Sequence, residues 1–434
     1  MSLRSYLKKL DGQNRLVRVT APISKTYEVA GVLKKLEPGP VMFEHVQEAS
    51  FRVAGNLFCN KAAFADYFGI LISKITPTLL KAIENRSPCE VVENAPCQEV
   101  MVSDPDLDQL PLLRHCQGDG GNYISSGIVL ARHPKHGQNA DFHRCMQISR
   151  RELAMRVVQS RHFSQYLNEL KAVDAAICVG NGPNVLAAAA TSVALGVDEL
   201  EIANALEPLQ VVRAKTVDLM VPAESEFVME GTVYLDRRHA EGPFVDLTET
   251  QDVVRQEPVF VLKAVTHRRD AIWHALLPGA LEHKLLMGMP REPTIFREVA
   301  KVVNCLDVNV NPGGSSWLHA IVQIDKQDDD DGLKAIEAAF AGHGSCKHVF
   351  VVDKDIDIYN PLEVEWAMAT RFQGDRDLVI KERRPGSSLD PSSDPQTNLT
   401  TRLGFDLTKP LASKGKAFDK VPFPEVDLRK FLTS

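Results

Sequence analysis

Apolar and polar positions alternate along this chain with two periods, and the changes of period divide it into four stretches. In residues 1–115 helical and strand-like spacings take turns. Helices are predicted at Ser5–Leu10, Tyr27–Leu36, Leu57–Phe68 and Leu71–Ile83, and strands at Leu16–Thr20 and Val41–His45. A Pro- and Asp-rich run, Ser103–Leu113, closes this α/β lobe. Residues 116–280 are strand-rich with helical insertions, the pattern of a barrel or sandwich that carries a pocket. Strands are predicted at Gly127–Arg132, Asn139–Ser149, Val173–Gly180, Val211–Arg213, Leu219–Val221, Glu226–Tyr234, Pro258–Val265 and Ala271–His274. Helices are predicted at Arg151–Leu170, Gly182–Thr191 and Asp198–Leu206. Two connector helices, Glu282–Met289 and Thr294–Lys301, occupy 281–304. Residues 305–434 read strand, strand, helix, strand, helix over Cys305–Val310, Trp317–Ile324, Gly332–Ala341, His348–Val352 and Leu362–Arg371. That order predicts a small α/β layer domain followed by a tail. Arg383–Asn398 reads as a loop, either a lid or a tether.

Composition narrows the class. A chain of 434 residues with 44% hydrophobic and 25% charged content is an ordinary globular protein of two or three domains. A net charge of −7 argues against a general nucleic-acid surface. No apolar run is long enough to span a membrane, and Met1–Leu10 is amphipathic rather than a secretory leader. The eight cysteines form no CxxC pair and no zinc spacing, so reduced thiols and a cytoplasmic location are expected.

The chemistry centres on Glu241-Gly-Pro-Phe-Val-Asp246. It is predicted to follow a charged turn, Asp236–Ala240, as a loop shaped by Gly242 and Pro243. Such a loop either aims both carboxylates into one cavity or presents two solvated acids. A desolvated member of the pair would be suited to deliver a proton at neutral pH. In strict alternation Phe142, Arg144 and Met146 share one strand face. The Arg144 guanidinium then either passes its neighbours to solvent or points into a binding cavity. Gly118–Ser126 lacks the lysine of a P-loop and the spacing of a dinucleotide fold, so it is weak evidence for phosphate binding. Asp353–Asp357 lacks the glycine and glutamate of a calcium loop, and Asp328–Asp331 reads as a solvated loop and helix cap.

Taken together, Asn139-x4-Arg144, Asp218-Leu-Met-Val-Pro-Ala-Glu-Ser-Glu226, Glu230-Gly231 and Glu241-Gly-Pro-Phe-Val-Asp246 resemble the UbiD family of reversible decarboxylases. The resemblance runs in order from about residue 1 to about 420. It implies an α+β fold: a flavin-reductase-like split β-barrel with helical insertions over 116–280, joined to a smaller C-terminal α/β oligomerisation domain. It implies prenylated FMN held with Mn²⁺ or Mg²⁺ and K⁺, and a flavin prenyltransferase as supplier. The expected reaction is non-oxidative decarboxylation of an unsaturated aromatic or heteroaromatic acid through a covalent cofactor adduct, with CO₂ released. Arg144, Glu241 and Asp246 fall on the family's catalytic positions, with Glu241 the expected proton donor. The second acid is often Glu in the family, and here it is one methylene shorter. Asn139, His162 (in Ser160-Arg-His-Phe163) and Glu199 fall on the metal-ligand positions, with Glu201 close enough to compete. Phe142, Arg144 and Arg161 are expected beside the cofactor, and Arg402 where the family often has a flavin-contacting lysine. His283 and Arg291 are expected to face the substrate. Arg291 either binds a second carboxylate, as in furan-2,5-dicarboxylate, or pairs with Glu292 or Glu298. The competing readings are a conventional FMN oxidoreductase, a non-catalytic homologue, and a 3-polyprenyl-4-hydroxybenzoate decarboxylase within the same family. A homo-oligomer, dimer or hexamer, is expected.

Overall fold

A computed structural model of the chain describes residues 2–159, 161–412 and 417–431. Ser160 of the expected ligand motif and parts of the C-terminal tail lie outside these. The fold is mixed α/β. Its centre is a nine-stranded sheet built on two long antiparallel strands, Phe227–Glu241 and Arg255–His267. The first of these is buried without interruption from Phe227 to Val233, because helices and neighbouring strands cover both of its faces. At Gly231 a Cβ would lie 2.2 Å from the Val261 carbonyl, and the register shifts there. Only glycine lets the two backbones close at that point.

Ile128–His133 and Gly137–Phe142 form a hairpin at one end of the strand order, and Tyr123–Ile124 and Cys145–Gln147 lie at the other. The hydrogen-bonded order does not close on itself. Yet Phe142 and Cys145 belong to strands at opposite ends of that order, separated in sequence only by His143 and Arg144. The sheet is therefore strongly curled, and Arg144 sits in the gap where the expected single strand Asn139–Ser149 breaks.

The expected helix Arg151–Leu170 is also divided. Glu152–Met155 is a strand between Cys145–Gln147 and Arg255–His267, and the helix starts only at His162. Pairing on both sides overrides the helical preference of Glu, Leu, Ala and Met. The expected turn at Asp236–Ala240 is a continuation of the strand, so Glu241 ends a strand rather than sitting inside a loop.

A four-stranded sheet joins Val17–Val19, Val41–Phe43 and Arg52–Gly55 to Ile272–Ala275, which arrives from far along the chain. In the C-terminal region five strands run in the order Cys305–Asn309, His319–Ile324, His348–Asp353, Leu399–Asp406, Leu378–Pro385. The helices Asp331–Gly342 and Pro361–Arg371 complete its layers, with separate apolar clusters around Ile336 and Ile356. Part of the expected loop Arg383–Asn398 thus belongs to an edge strand. Glu292, fully buried, ties three regions together: it accepts from Lys61 Nζ at 2.7 Å and from Val310 N at 2.9 Å. None of the eight cysteines is in a disulfide. Among the described residues no helix is long and apolar enough to cross a membrane.

Candidate active site

Two adjoining cavities lie against the gap in the curled sheet. The larger, about 370 Å³, is lined by Arg144, Asp246, Asp252, Phe244 and His283 on one side and by Trp317 and Ser387 of the C-terminal region on the other. The smaller, about 320 Å³, is lined by Asn139, His162, Glu199 and Arg291. Phe142, His143 and Arg161 border both.

Arg144 is the hub of the larger cavity. Its Nε donates to Glu241 Oε1 at 2.9 Å and its Nη2 to Oε2 at 3.1 Å. Nη1 donates to Asp246 Oδ2 at 2.6 Å, and Nη2 also to Asp252 Oδ2 at 2.8 Å. The guanidinium stacks 4.7 Å from the centre of the Phe244 ring. Burial works against its charge, but the carboxylates, Glu241 foremost, hold it above its ordinary range. Gly242, at φ +98°, and the cis Gly242–Pro243 peptide turn the chain between the two acids. The Gly-rich stretch has its role here: a Cβ on Gly120 would lie 2.1 Å from the Gly242 carbonyl, and Gly120 N donates to Pro243 O at 2.8 Å. It braces the acidic turn by close backbone contact.

The two acids are not equivalent. Glu241 is fully buried behind Arg144 and also accepts from the Tyr123 hydroxyl at 3.2 Å. Asp246 lines the cavity, with Oδ1 accepting from Leu247 N at 2.7 Å. Asp252 was not anticipated. It pairs with Arg144 only because a short hairpin sets Asp252 opposite Phe244, a register that spacing does not reveal. His283, on the connector helix, faces Asp246. Burial lowers its pKa to about 4 despite that carboxylate, and its Nδ1 accepts from Gly279 N at 3.0 Å, leaving Nε2–H for the cavity.

In the smaller cavity Asn139 Nδ2 donates to both Glu199 oxygens at 3.1 Å, and Ala140 N donates to Oε2 at 2.8 Å. Burial pushes Glu199 up to about 8. His162 is lowered, again by burial. The buried Asn139 Oδ1 has no hydrogen-bond partner. An orphaned amide oxygen, a proton-poor imidazole and a buried carboxylate form a donor set that fits a hard divalent cation. Glu201 points elsewhere, 3.4 Å from Arg86, and does not line this cavity.

Arg291 is buried, with its guanidinium 5.1 Å from the centre of the Trp317 ring. The expected pairing with Glu292 or Glu298 does not occur: those carboxylates take Lys61 and Lys301. Burial, with Arg161 nearby, lowers Arg291 to about 9. It borders the smaller cavity rather than the larger, while Trp317 beside it borders the larger. Arg402 lines neither. Its Nη2 donates to the carbonyls of Gly344 and Pro385, bracing the segments that carry Ser345 and Gly386 to the larger cavity.

A buried arginine is thus shared among acids beside a pocket whose donors fit a divalent cation, and similarity to known proteins gives the class of the chain as carboxy-lyase. The chain belongs to the UbiD family of decarboxylases. It matches the N-terminal domain of 3-octaprenyl-4-hydroxybenzoate carboxy-lyase over residues 7–83, the Rift-related domain over 90–281 and the C-terminal domain over 284–407. It is 40% identical to anhydromevalonate phosphate decarboxylase of Methanothermobacter thermautotrophicus, over 95% of this chain and 98% of that protein. With the Methanosarcina mazei protein of the same name it shares 38%, over 98% and 100%. Among solved structures it is similar to the UbiD-class enzyme HmfF of Pelotomaculum thermopropionicum in complex with FMN. The TM-score is 0.95 and the identity 34%, with all of both chains covered. An evolved dimeric form of HmfF in complex with prFMN has a TM-score of 0.91 at 33% identity, covering 99% of this chain and 100% of that one.

Proposed function

We propose that this protein is a prenylated-FMN-dependent, reversible, non-oxidative decarboxylase of an unsaturated acid that carries a second anionic group, with a heteroaromatic dicarboxylate as the first candidate. The observation that carries this is the sharing of Arg144 among acids at the wall of the larger cavity, directly beside the Asn139, His162 and Glu199 pocket. HmfF, similar over its whole length, is solved with FMN and with prFMN.

Loss of CO₂ leaves an electron pair on carbon, and bound prenylated flavin would supply the sink for it that no side chain offers. Asn139, His162 and Glu199 would hold the divalent metal, Mn²⁺ or Mg²⁺, beside the cofactor phosphate, and K⁺ belongs to the same proposal. Phe142, Arg144 and Arg161 would border the flavin, in the groove of the curled, split-barrel-like sheet. Arg144 orients the substrate carboxylate. Glu241 is fully buried and does not line the cavity, and in this reading it fixes Arg144 through two N–H···O bonds in place of the donor role expected for it. Asp246 lines the cavity and returns the proton to carbon. His283 Nε2–H and Arg291 receive the distal anion.

A second reading keeps the reaction and changes the acid. The curated relatives named above are anhydromevalonate phosphate decarboxylases, so a phosphorylated, non-aromatic unsaturated acid is the alternative. A homo-oligomer is proposed as well. The tail supports it, with Val421 85%, Phe423 94% and Phe431 72% exposed on a single chain.

The test is co-production with a flavin prenyltransferase, followed by the mass and absorbance of the bound cofactor and CO₂ release from mono- and dianionic acids. CO₂ release that requires prenylated flavin supports the proposal. Bound plain FMN with NAD(P)H oxidation and no CO₂ release overturns it in favour of a flavin oxidoreductase.

A further inference from the structure

Outside both cavities, two histidines and a glutamate converge. His133 ends the strand Ile128–His133, and Gly137, at φ +76°, opens its hairpin partner. The turn between them folds His136 back over His133, and the two rings lie 4.7 Å apart at 26°. Glu169 comes from the helix His162–Leu170, and its Oε2 lies 3.1 Å from His133 Nε2. One ligand atom from each of the three side chains lies within 4.8 Å of the other two. The His133 side chain is 3% exposed and that of Glu169 41%, while His136 is half-buried.

The His133–Glu169 contact is close without being a hydrogen bond: the buried Nε2 has no hydrogen-bond partner. A buried ring nitrogen left in that state calls for a cause. Donor atoms around a tetrahedral zinc, with bonds of about 2.0–2.1 Å, stand roughly 3.3 Å apart. The 3.1 Å contact is already near that spacing. Glu169 Oε1 accepts from Gln165 Nε2 at 2.9 Å, which orients the carboxylate and leaves Oε2 for an ion. The Tyr166 ring, 5.1 Å from that of His133, supports the histidine plane. Stacked rings cannot both present an edge to one ion, so His136, half-buried at the turn, rotates to close the site. His133 Nδ1 accepts from Lys135 N at 3.1 Å. With an ion on Nε2 the ring proton sits on Nδ1, this contact opens, and the Lys135 amide, in an exposed turn, passes to water. The Lys135 charge opposes a cation here, but it is exposed, where water and salt screen it.

We propose that His133, His136 and Glu169 form a second metal site, for a transition-metal dication of the zinc class, that clips the hairpin to the helix. Two imidazoles, one carboxylate and a water complete a tetrahedron, a donor set that suits Zn²⁺ over Mg²⁺ or Ca²⁺. The site is separate from the Asn139, His162 and Glu199 pocket, yet the two share their supports. Asn139 lies on the hairpin strand Gly137–Phe142, and His162 is the first residue of the helix that carries Glu169. An ion that fastens the hairpin turn to the last turn of that helix limits how far Asn139 and His162 move apart. Neither the ligands nor their geometry depends on the decarboxylase reading.

The experiment titrates Zn²⁺ alone into the purified full-length protein by calorimetry, with H136A, E169Q and N139A beside wild type. Thermal melting is followed with and without the ion, and Co²⁺ replaces Zn²⁺ for the visible spectrum, in which a tetrahedral site absorbs far more strongly than an octahedral one. His136 and Glu169 are not core residues, so H136A and E169Q are expected to melt like wild type without metal, and either variant decides alone if the other melts low. The expected result is a zinc equivalent that N139A keeps and that H136A and E169Q bind at least ~10-fold more weakly. A tetrahedral cobalt band is lost in the same two variants, and zinc raises the melting temperature only where that equivalent binds. Zinc binding and melting in H136A and E169Q equal to those of wild type overturn the proposal. So does a zinc equivalent lost in N139A alone, which assigns the ion to the Asn139, His162 and Glu199 pocket.

Discussion

Arg291 lies stacked on Trp317, buried, with its guanidinium 5.1 Å from the ring centre and no carboxylate partner among the described residues. A buried guanidinium without an anion is costly, and one lowered to about 9 by burial and by Arg161 gains from an incoming anion. Arg291→Ala is expected to lower kcat/KM for dianionic acids by about 100-fold, the worth of a charge-assisted bond to a buried partner, and for monoacids by less than about 3-fold. Flavin content is measured beside the kinetics. Equal loss on every acid, together with loss of flavin, assigns Arg291 to the cofactor phosphate instead.

Glu199, not Glu201, shares a pocket with Asn139 and His162. Glu199→Gln and Asn139→Ala are expected to lower divalent-metal content and flavin retention at least ~10-fold, since even partners one step removed from a metal cost that much. Glu201→Gln, on the surface beside Arg86, is expected to leave both unchanged. Elemental analysis and flavin absorbance of the purified proteins check this.

Asp246 and Glu241 differ in what they face, and their amides are expected to differ in kind. Asp246→Asn removes the acid on the cavity wall and is expected to lower kcat by roughly 10²–10⁴ with little change in KM. Glu241→Gln weakens the hold on Arg144 and is expected to raise KM as well as lower kcat. A Glu241→Gln enzyme that loses only kcat while Asp246→Asn keeps it would return the donor role to Glu241.

Glu292 predicts a pH dependence of stability. Burial raises its pKa from 4.5 to about 7, against the pull of Lys61. A carboxyl raised in the folded state binds more protons folded than unfolded, so its contribution is complete below about pH 4.5 and is lost as pH rises to about 7. The loss is on the order of 3 kcal/mol at most. Thermal melting of the apo protein is expected to fall between pH 5 and 8, and Glu292→Gln, which cannot titrate, is expected to flatten that slope. An unchanged slope would place the titration elsewhere.

The periodicities were enough for the elements whose burial follows from local pattern. The run Glu226–Tyr234 is buried on both faces and reads as a strand, and the helices Pro183–Ala189 and Glu199–Leu206 fall where their spacing places them. The motif order Asn139, Arg144, Glu230-Gly231, Glu241–Asp246 was enough for the family. Burial and pairing, which are properties of the whole chain, decided the rest. Glu152–Met155 became a strand because two neighbours offered hydrogen bonds on either side. Leu378–Pro385 escaped notice because this edge strand leaves much of its surface in water and needs no apolar alternation, and Leu399–Asp406 because its pairing on both sides, with His348–Asp353 and Leu378–Pro385, is set by segments no local window contains. Ile272–Ala275 found its parallel partner at Arg52–Gly55, a pairing no local window contains. The site shows the same division. Residue types near positions 139, 144 and 241–246 carried the chemistry, but only the tertiary structure put Glu241 behind Arg144, brought Asp246 to the cavity and closed a hairpin that set Asp252 on the same guanidinium. A carboxylate's role depends on its desolvation and on how many cations it shares, and both are set by residues distant in sequence.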